Sequence, residues 1–334
     1  MNNSQESTTR PLSDPGEIIN WPMLRLIYRT DNKKLAKLLP PGIDPSNEAI
    51  VTITIYNFPV NNEPEYGVVV NASAKYKDIE GDYTLSIGIN QEAAIYTSHE
   101  HWGQPKYLAD THYYRMGNLV EAKVIHQGNT FVQFTGEVVG ELPNLPEYEH
   151  NEWWIKYLRS VDMTPGKYDF PPHIVRVKST YGTSFMEELK GDIILRESPW
   201  DPITKYLPME EQVSSYLWTP IFLGREITLE DQLDGEAFWP YADTIGGSRW
   251  PGENGGPAIQ NNARPWFWAQ ANGDFNSKGL VSKPRAFSLV SCLVSSPWKI
   301  PSSSSPSNPE RSSPVLGLGR CLISDLSSFA LARM

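Results

Sequence analysis

The chain has 334 residues, 40% of them apolar and 11% aromatic, enough for a sizeable core in one large domain or two ordinary ones. Its formal charge of −10 at pH 7 excludes a phosphate-binding surface, so no nucleic-acid partner is expected. No apolar run approaches the roughly 18–20 residues that span a bilayer, and the polar start MNNSQESTTRPLSDPGE has no signal-like stretch. The expectation is a cytoplasmic protein with no membrane contact. The only cysteines, Cys292 and Cys321, lie near the end of the chain, which leaves the main body without a disulfide or a thiol nucleophile.

Residues 1–19 read as a flexible arm, and residues 20–232 as one mainly β domain. The runs MLRLIYR (23–29), AIVTITIYNF (49–58), YGVVVNASAKY (66–76), YTLSIGI (83–89) and EAAIYTS (92–98) predict strands, being rich in β-branched and aromatic residues. TDNKKLAKLL (30–39), with its Thr/Asp start and its end before Pro40, predicts a short helix. PKYLADTHYYRM (105–116) reads as a second helix, with Pro105 at the favoured first position. NLVEAKVIHQG and TFVQFTGEVVGEL, separated by Gly128 and Asn129, predict a hairpin. EHNEWWIKYLRSV (149–161) reads as a third helix, and HIVRVKST (173–180) and GDIILRES (191–198) as two more strands. Many strands at short spacing point to an antiparallel barrel or sandwich.

Residues 233–272 form a Gly/Trp-rich extension, including FWPYADTIGGSRWPGENGGP, with no strand or helix period. Residues 273–334 hold SSPWKIPSSSSPSNPERSSP and seven bases against three acids. They read as a disordered Ser/Pro-rich tail or as a stretch foreign to the domain.

Among motifs, HEHW is not a zinc-binding His-Glu-x-x-His, and His99, His101, His112 and His126 have no carboxylate or cysteine partner at a diagnostic spacing. No metal and no organic cofactor are expected. There is no Gly-x-Ser-x-Gly elbow, and TIGGSRWPG lacks the order of a phosphate loop. Lys106 stands out in SHEHWGQPKYLADTHYY (98–114), set among Trp102, Tyr107, Leu108, Tyr113 and Tyr114. Taken alone, it reads as a surface lysine at a helix start. The other reading is a Schiff-base lysine, which attacks a ketone only when unprotonated and therefore needs a lowered pKa. Desolvation by its aromatic neighbours and the dipole of a helix opening at Pro105 would both act in that direction.

HEHWGQPKYLA (99–109) resembles the acetoacetate decarboxylase family pattern Arg-Glu-x-x-x-x-Pro-Lys-Lys-Leu. LIYRTDNKKLAKLLPPGI (26–43), GDY (81–83) and GDIILRESPWDPITKYLPMEEQVSSYLW (191–218) resemble other family segments in the same order. The resemblance implies an antiparallel, cone-like β-barrel and a Schiff-base lyase that decarboxylates a β-keto acid without cofactor. It also implies a homo-oligomer. An aldolase or dehydratase on the same iminium, and a barrel that merely binds an apolar ligand, are the alternatives. Lys106 matches the nucleophilic lysine.

Three positions depart from the family. The second lysine is Tyr107, so the adjacent cation that lowers the lysine pKa in acetoacetate decarboxylases is missing from its usual place. The family glutamate before GDY falls within YGVVVNAS (66–73), which has no acid; Glu63 and Glu65 lie just upstream, and a second glutamate falls near Thr54. The arginine of the Arg-Glu pair is His99, with Glu100 kept. Arg29 and Arg25, on one face of the first strand, are candidate carboxylate partners, and Glu100, Trp102 and Tyr107 are candidate substrate contacts. The apolar replacements predict a larger or less charged substrate, such as a polyketide-like β-keto acid of secondary metabolism.

Overall fold

The computed structural model describes residues 22–60 and 63–257. The expected arm at 1–19, the tail at 273–334 and the last part of the extension lie outside the described residues. The chain lays down β1 (Met23–Thr30), α1 (Asn32–Ala36), β2 (Asp44–Pro45), β3 (Ile50–Val60), β4 (Glu63–Tyr76), β5 (Ile79–Ile89), α2 (Glu92–Trp102), β6 (Lys106–Leu108) and β7 (Asp110–Met116). It continues with β8 (Leu119–His126), β9 (Asn129–Glu141), β10 (Tyr148–Arg159), β11 (Tyr168–Leu195), α3 (Ile203–Tyr206), β12 (Met209–Gln232) and α4 (Gly235–Phe238). The protein is mainly β, with a few short helices.

The strands form one 12-stranded sheet. Its pairings run β5-β4-β3-β1-β12-β11-β10, and β10 pairs again with β5, so the ladder closes on itself. The remaining strands β9, β8 and β7 continue from β11, which is long enough to serve both sets. The ladders are antiparallel except for those of β5 with β6 and with β10, which are parallel.

Most predicted strands appear, and α1 forms where expected, capped by the Asp31 side chain on the Lys34 N–H. The β8–β9 hairpin turns on Gln127 and Gly128, with φ of 49° and 75°, the two left-handed residues that a type I′ turn needs. The strands predicted at 173–180 and 191–198 are parts of a single 28-residue strand, β11.

Three segments differ from expectation. Residues 92–98 belong to helix α2, because Ala94, Ile95, Ser98 and Trp102 recur at helical spacing and present one covered face. Residues 105–116 are the strands β6 and β7 rather than a helix. Tyr107, Ala109, Thr111 and Tyr113 are buried while Leu108, Asp110, His112 and Tyr114 are exposed, which is the two-residue period of a strand. Residues 149–161 are strand β10, whose Trp153, Trp154 and Ile155 are all buried. A strand covered on both faces loses its alternation and mimics a helical pattern.

Alternation in the closed circuit sorts side chains onto two faces. One face packs Leu24, Leu26, Ile53, Ile55, Val68 and Val70 into the main core, together with residues of β7–β9. Phe238, Ala242, Ile245 and Trp250 of the extension join that core; full burial of Phe238 alone contributes about 1.5–3 kcal/mol. The other face carries Met23, Tyr56, Ile87, Ile89, Tyr181 and Trp218, on which Ala94 and Ile95 of α2 close.

Candidate active site

Lys106 reaches this second face because β6 runs parallel beside β5 with Lys106 opposite Ile87. The backbone is pinned by Ile87 N–H donating to Pro105 O at 2.8 Å and Lys106 N–H donating to Gln104 O at 2.8 Å. A cavity of about 560 Å³ opens over it, lined by Glu92, Ile95, Tyr96, His99 and Glu100 of α2, by Lys106, Tyr107 and Leu108 of β6 and by Gly247. The Lys106 amine is held below the ordinary lysine value, chiefly by burial. The Glu65 carboxylate opposes that shift and the Arg225 guanidinium adds to it.

Both neighbours come from distant strands. Glu65 is buried on β4, with Oε1 accepting from the Tyr56 hydroxyl at 2.9 Å and Oε2 without a partner. Tyr56 stands opposite Gly67, and a β-carbon at Gly67 would lie 2.3 Å from the tyrosine ring. Glycine there lets the ring cross β4 to Glu65. Arg225, on β12, donates from Nε to Ser179 Oγ at 3.0 Å and from Nη2 to the Tyr181 hydroxyl at 3.4 Å. Glu152 accepts from Asn71 Nδ2 at 3.1 Å, and Asp82 pairs with His150 Nε2 at 2.9 Å. Burial pulls the His150 imidazolium down, but the hydrogen bond and charge of Asp82 and the charge of Glu152 outweigh it, so its pKa is raised.

One residue further along β6, Tyr107 turns to the opposite face. Its hydroxyl donates to Asp201 Oδ1 at 2.7 Å, and His126 Nδ1 meets Asp201 Oδ2 at 2.6 Å. The tyrosine and histidine rings lie 4.3 Å apart. The extension also touches β6: a β-carbon at Gly247 would fall 1.8 Å from Lys106 O, so only glycine admits this approach. Arg249 fastens the same segment, donating from its backbone N–H to Leu85 O at 2.7 Å and from Nη2 to Gly103 O at 2.7 Å and Ile155 O at 2.5 Å.

The other candidates scatter. Glu100 shares the cavity with Lys106 but is exposed. Arg25 lies deep on the Lys106 face, its guanidinium 5.5 Å from the Trp218 ring centre. Arg29 is already bound by Glu48 and Glu211, each at 3.1 Å. Trp102 packs with Trp154, Val175 and Val177, away from the cavity lining. Tyr107 lines the cavity as well, while its hydroxyl is turned to Asp201. His99 lines the cavity, its pKa lowered by burial and then by Arg249, while His101 Nδ1 meets Thr97 O at 2.7 Å. Among the described residues, no three His, Cys, Asp or Glu side chains converge as a metal site.

A family model described as acetoacetate decarboxylase (ADC) matches residues 1–233. The chain belongs to the acetoacetate decarboxylase family. Similar solved structures include the Legionella pneumophila acetoacetate decarboxylase, at 18% identity and a TM-score of 0.53, covering 68% of this chain and 92% of that one. An acetoacetate decarboxylase-like enzyme from Sphingomonas wittichii RW1 aligns at 13% identity and a TM-score of 0.52, over 64% of this chain and 92% of that one. The enduracididine biosynthesis enzyme MppR, complexed with pyruvate, aligns at 13% identity and a TM-score of 0.51, over 66% and 93%. No curated protein sequence matches the chain. These structural likenesses speak for the fold alone.

In this acetoacetate decarboxylase family member, a distant acid and a distant cation act on Lys106. Glu65 is on the Lys106 face. It lies two residues before Gly67 on β4 and therefore on the same face. Arg225 brings a cation toward Lys106 from β12, a strand with no local sequence signal linking it to Lys106. A helix dipole plays no part, since Lys106 is on a strand. A signal for Glu65 was present in the sequence: Glu65, Gly67 and Val69 share the parity of one strand face.

Proposed function

We propose that the protein is a Schiff-base lyase in which Lys106 condenses with a β-keto acid and drives its decarboxylation. The observation that carries this is a lysine lining a cavity, its pKa lowered by burial and Arg225 against the charge of Glu65. Membership of the acetoacetate decarboxylase family supports it. The neutral amine adds to the ketone, the adduct takes up a proton and water leaves, giving an iminium; the same proton is released with the lysine at the end. The bond to the carboxylate carbon breaks, its electron pair moves into the iminium as an enamine, and carbon dioxide departs. A proton returns to carbon, with the Tyr56–Glu65 pair as donor, and water releases the ketone and the free lysine. No cofactor enters these steps. We also propose that the circuit β5-β4-β3-β1-β12-β11-β10 closes as the family's cone-like barrel, with Lys106 facing its interior.

Intact-mass measurement after incubation with acetoacetate and borohydride tests this reading. One reduced adduct, mapped to Lys106, is expected. No adduct, or one on another lysine, overturns it and leaves a barrel that only binds. Carbon dioxide release from a panel of β-keto acids separates decarboxylation from aldol or dehydratase chemistry on the same iminium.

A further inference from the structure

Arg25, half-buried on the Lys106 face, is a charge that these steps leave unused. Its Nε is buried and has no hydrogen-bond partner, and among the described residues no carboxylate stands within ion-pair distance of it. The nearby acids are engaged elsewhere: Asp82 with His150, Glu152 with Asn71, and Glu65 with Tyr56. A buried N–H left without an acceptor costs free energy, and an oxygen of a bound anion would satisfy Arg25 Nε. Its surroundings suit an acid group. Trp218 offers a ring face, and the phenols of Tyr148, Tyr181 and Tyr216 surround the charge.

Strand register sets Arg25 against Lys106. Lys106 pairs with Ile87, Ile87 with Val69, Val69 with Thr54, and Thr54 with Arg25. Directly paired residues point to one face, so the two cations share it. From β5 to β1 the circuit passes β4 and β3 one way, and β10, β11 and β12 the other; the two groups stand on well-separated strands of the ring. Tyr181 is bonded to Arg225, which acts on Lys106, and its charge acts on Arg25.

We propose that Arg25 anchors a second carboxylate, so that the substrate is a keto acid carrying two acid groups. This rests on the Schiff-base reading above. The carboxylate lost as carbon dioxide becomes neutral, so a guanidinium gripping it would favour the ground state over the transition state. A group held by Arg25, away from the amine, is one that stays through the reaction. Its planar fork suits a carboxylate held by two parallel bonds. The product is then a keto monoacid, in place of the less charged ligand expected from the sequence.

The test compares 3-oxoadipate and 3-oxopimelate with 3-oxohexanoate and 3-oxoheptanoate, which have the same chain lengths but one carboxylate. The full chain should prefer the diacids, and Arg25→Gln should cut the diacid-to-monoacid ratio of kcat/KM by about a hundredfold, mainly through KM. Arg25→Lys should restore part of that ratio. A measurement on the unaltered protein is independent of variant folding: levulinate should inhibit at least about tenfold more strongly than 2-pentanone, the neutral ketone of equal length. Equal turnover of diacids and monoacids, an unchanged ratio in Arg25→Gln, or equal inhibition by the two ketones overturns the second site. Borohydride adducts on Lys106 that form without acid preference overturn this inference alone. The absence of any adduct overturns the Schiff-base reading beneath it.

Discussion

Lys106 and Tyr107 are neighbours on one short strand, yet they serve opposite faces of the sheet. On the Tyr107 side, Asp201 is fully buried and both its oxygens are bound, by Tyr107 and by His126. On the Lys106 side, Glu65 has one oxygen without a partner and Arg25 an Nε without one. A buried charge with a full set of partners rigidifies a structure; one left short of partners is held ready for something else. The two faces therefore differ in how their buried charges are paired, although a single backbone carries both, and the proposed chemistry belongs to the Lys106 side.

The largest effect that would break this contrast is at Lys106 itself. Lys106→Arg should reduce turnover to background, because a guanidinium keeps its proton and forms no imine. Activity of the unaltered protein should rise with pH through the lowered Lys106 value, since the neutral amine is the reactive form. The rate–pH profile checks this: a limb at or above the ordinary lysine value of about 10.4 contradicts the burial of the amine.

Next comes the contact between the faces. Gly247→Val should destabilise the fold by about 1–3 kcal/mol or more, because its side chain meets the Lys106 carbonyl and overpacking is costly. Denaturant titration measures it. A melting curve like that of the unaltered protein would show that the extension does not seat against β6.

Tyr107→Phe sharpens the comparison. It leaves Asp201 Oδ1 without its donor, at a cost of about 1–3 kcal/mol. The loss should appear in thermal stability, with KM little changed. A raised KM at unchanged melting temperature would move Tyr107 to the chemical face.

The smallest expected effect is at His150. Its folded pKa is raised by Asp82 and Glu152 against burial, so its contribution to stability is full below the unfolded value of about 6.5. That contribution is lost as pH rises through the raised folded value. Stability measured across this window should fall in the unaltered protein and stay flatter in His150→Gln. Parallel curves would mean that the ion pair contributes nothing.

Local chemistry announced part of this in the sequence. GQPKYLA singled out Lys106, and the β-branched runs of β1, β3, β4 and β5 declared their strands. The pattern misled where burial on both faces erased alternation, as in β10, and where Pro105 imitated a helix start although Tyr107, Ala109, Thr111 and Tyr113 kept a strand period. TIGGSRWPG lacks the order of a phosphate loop, yet Gly247 within it lines the cavity.

The sequence by itself determined the strand-rich character of the domain, the lysine and the acetoacetate decarboxylase resemblance, because these rest on residue type and short-range period. Only the tertiary structure decided which groups meet that lysine. Glu65 arrives through the parity of β4 and Arg225 from β12, while a row of paired residues crossing β5, β4, β3 and β1 puts Arg25 on the same face. Those meetings depend on register between strands far apart in the chain. A slip of one residue would carry each side chain to the opposite face, and nothing within a short window of sequence sets that register.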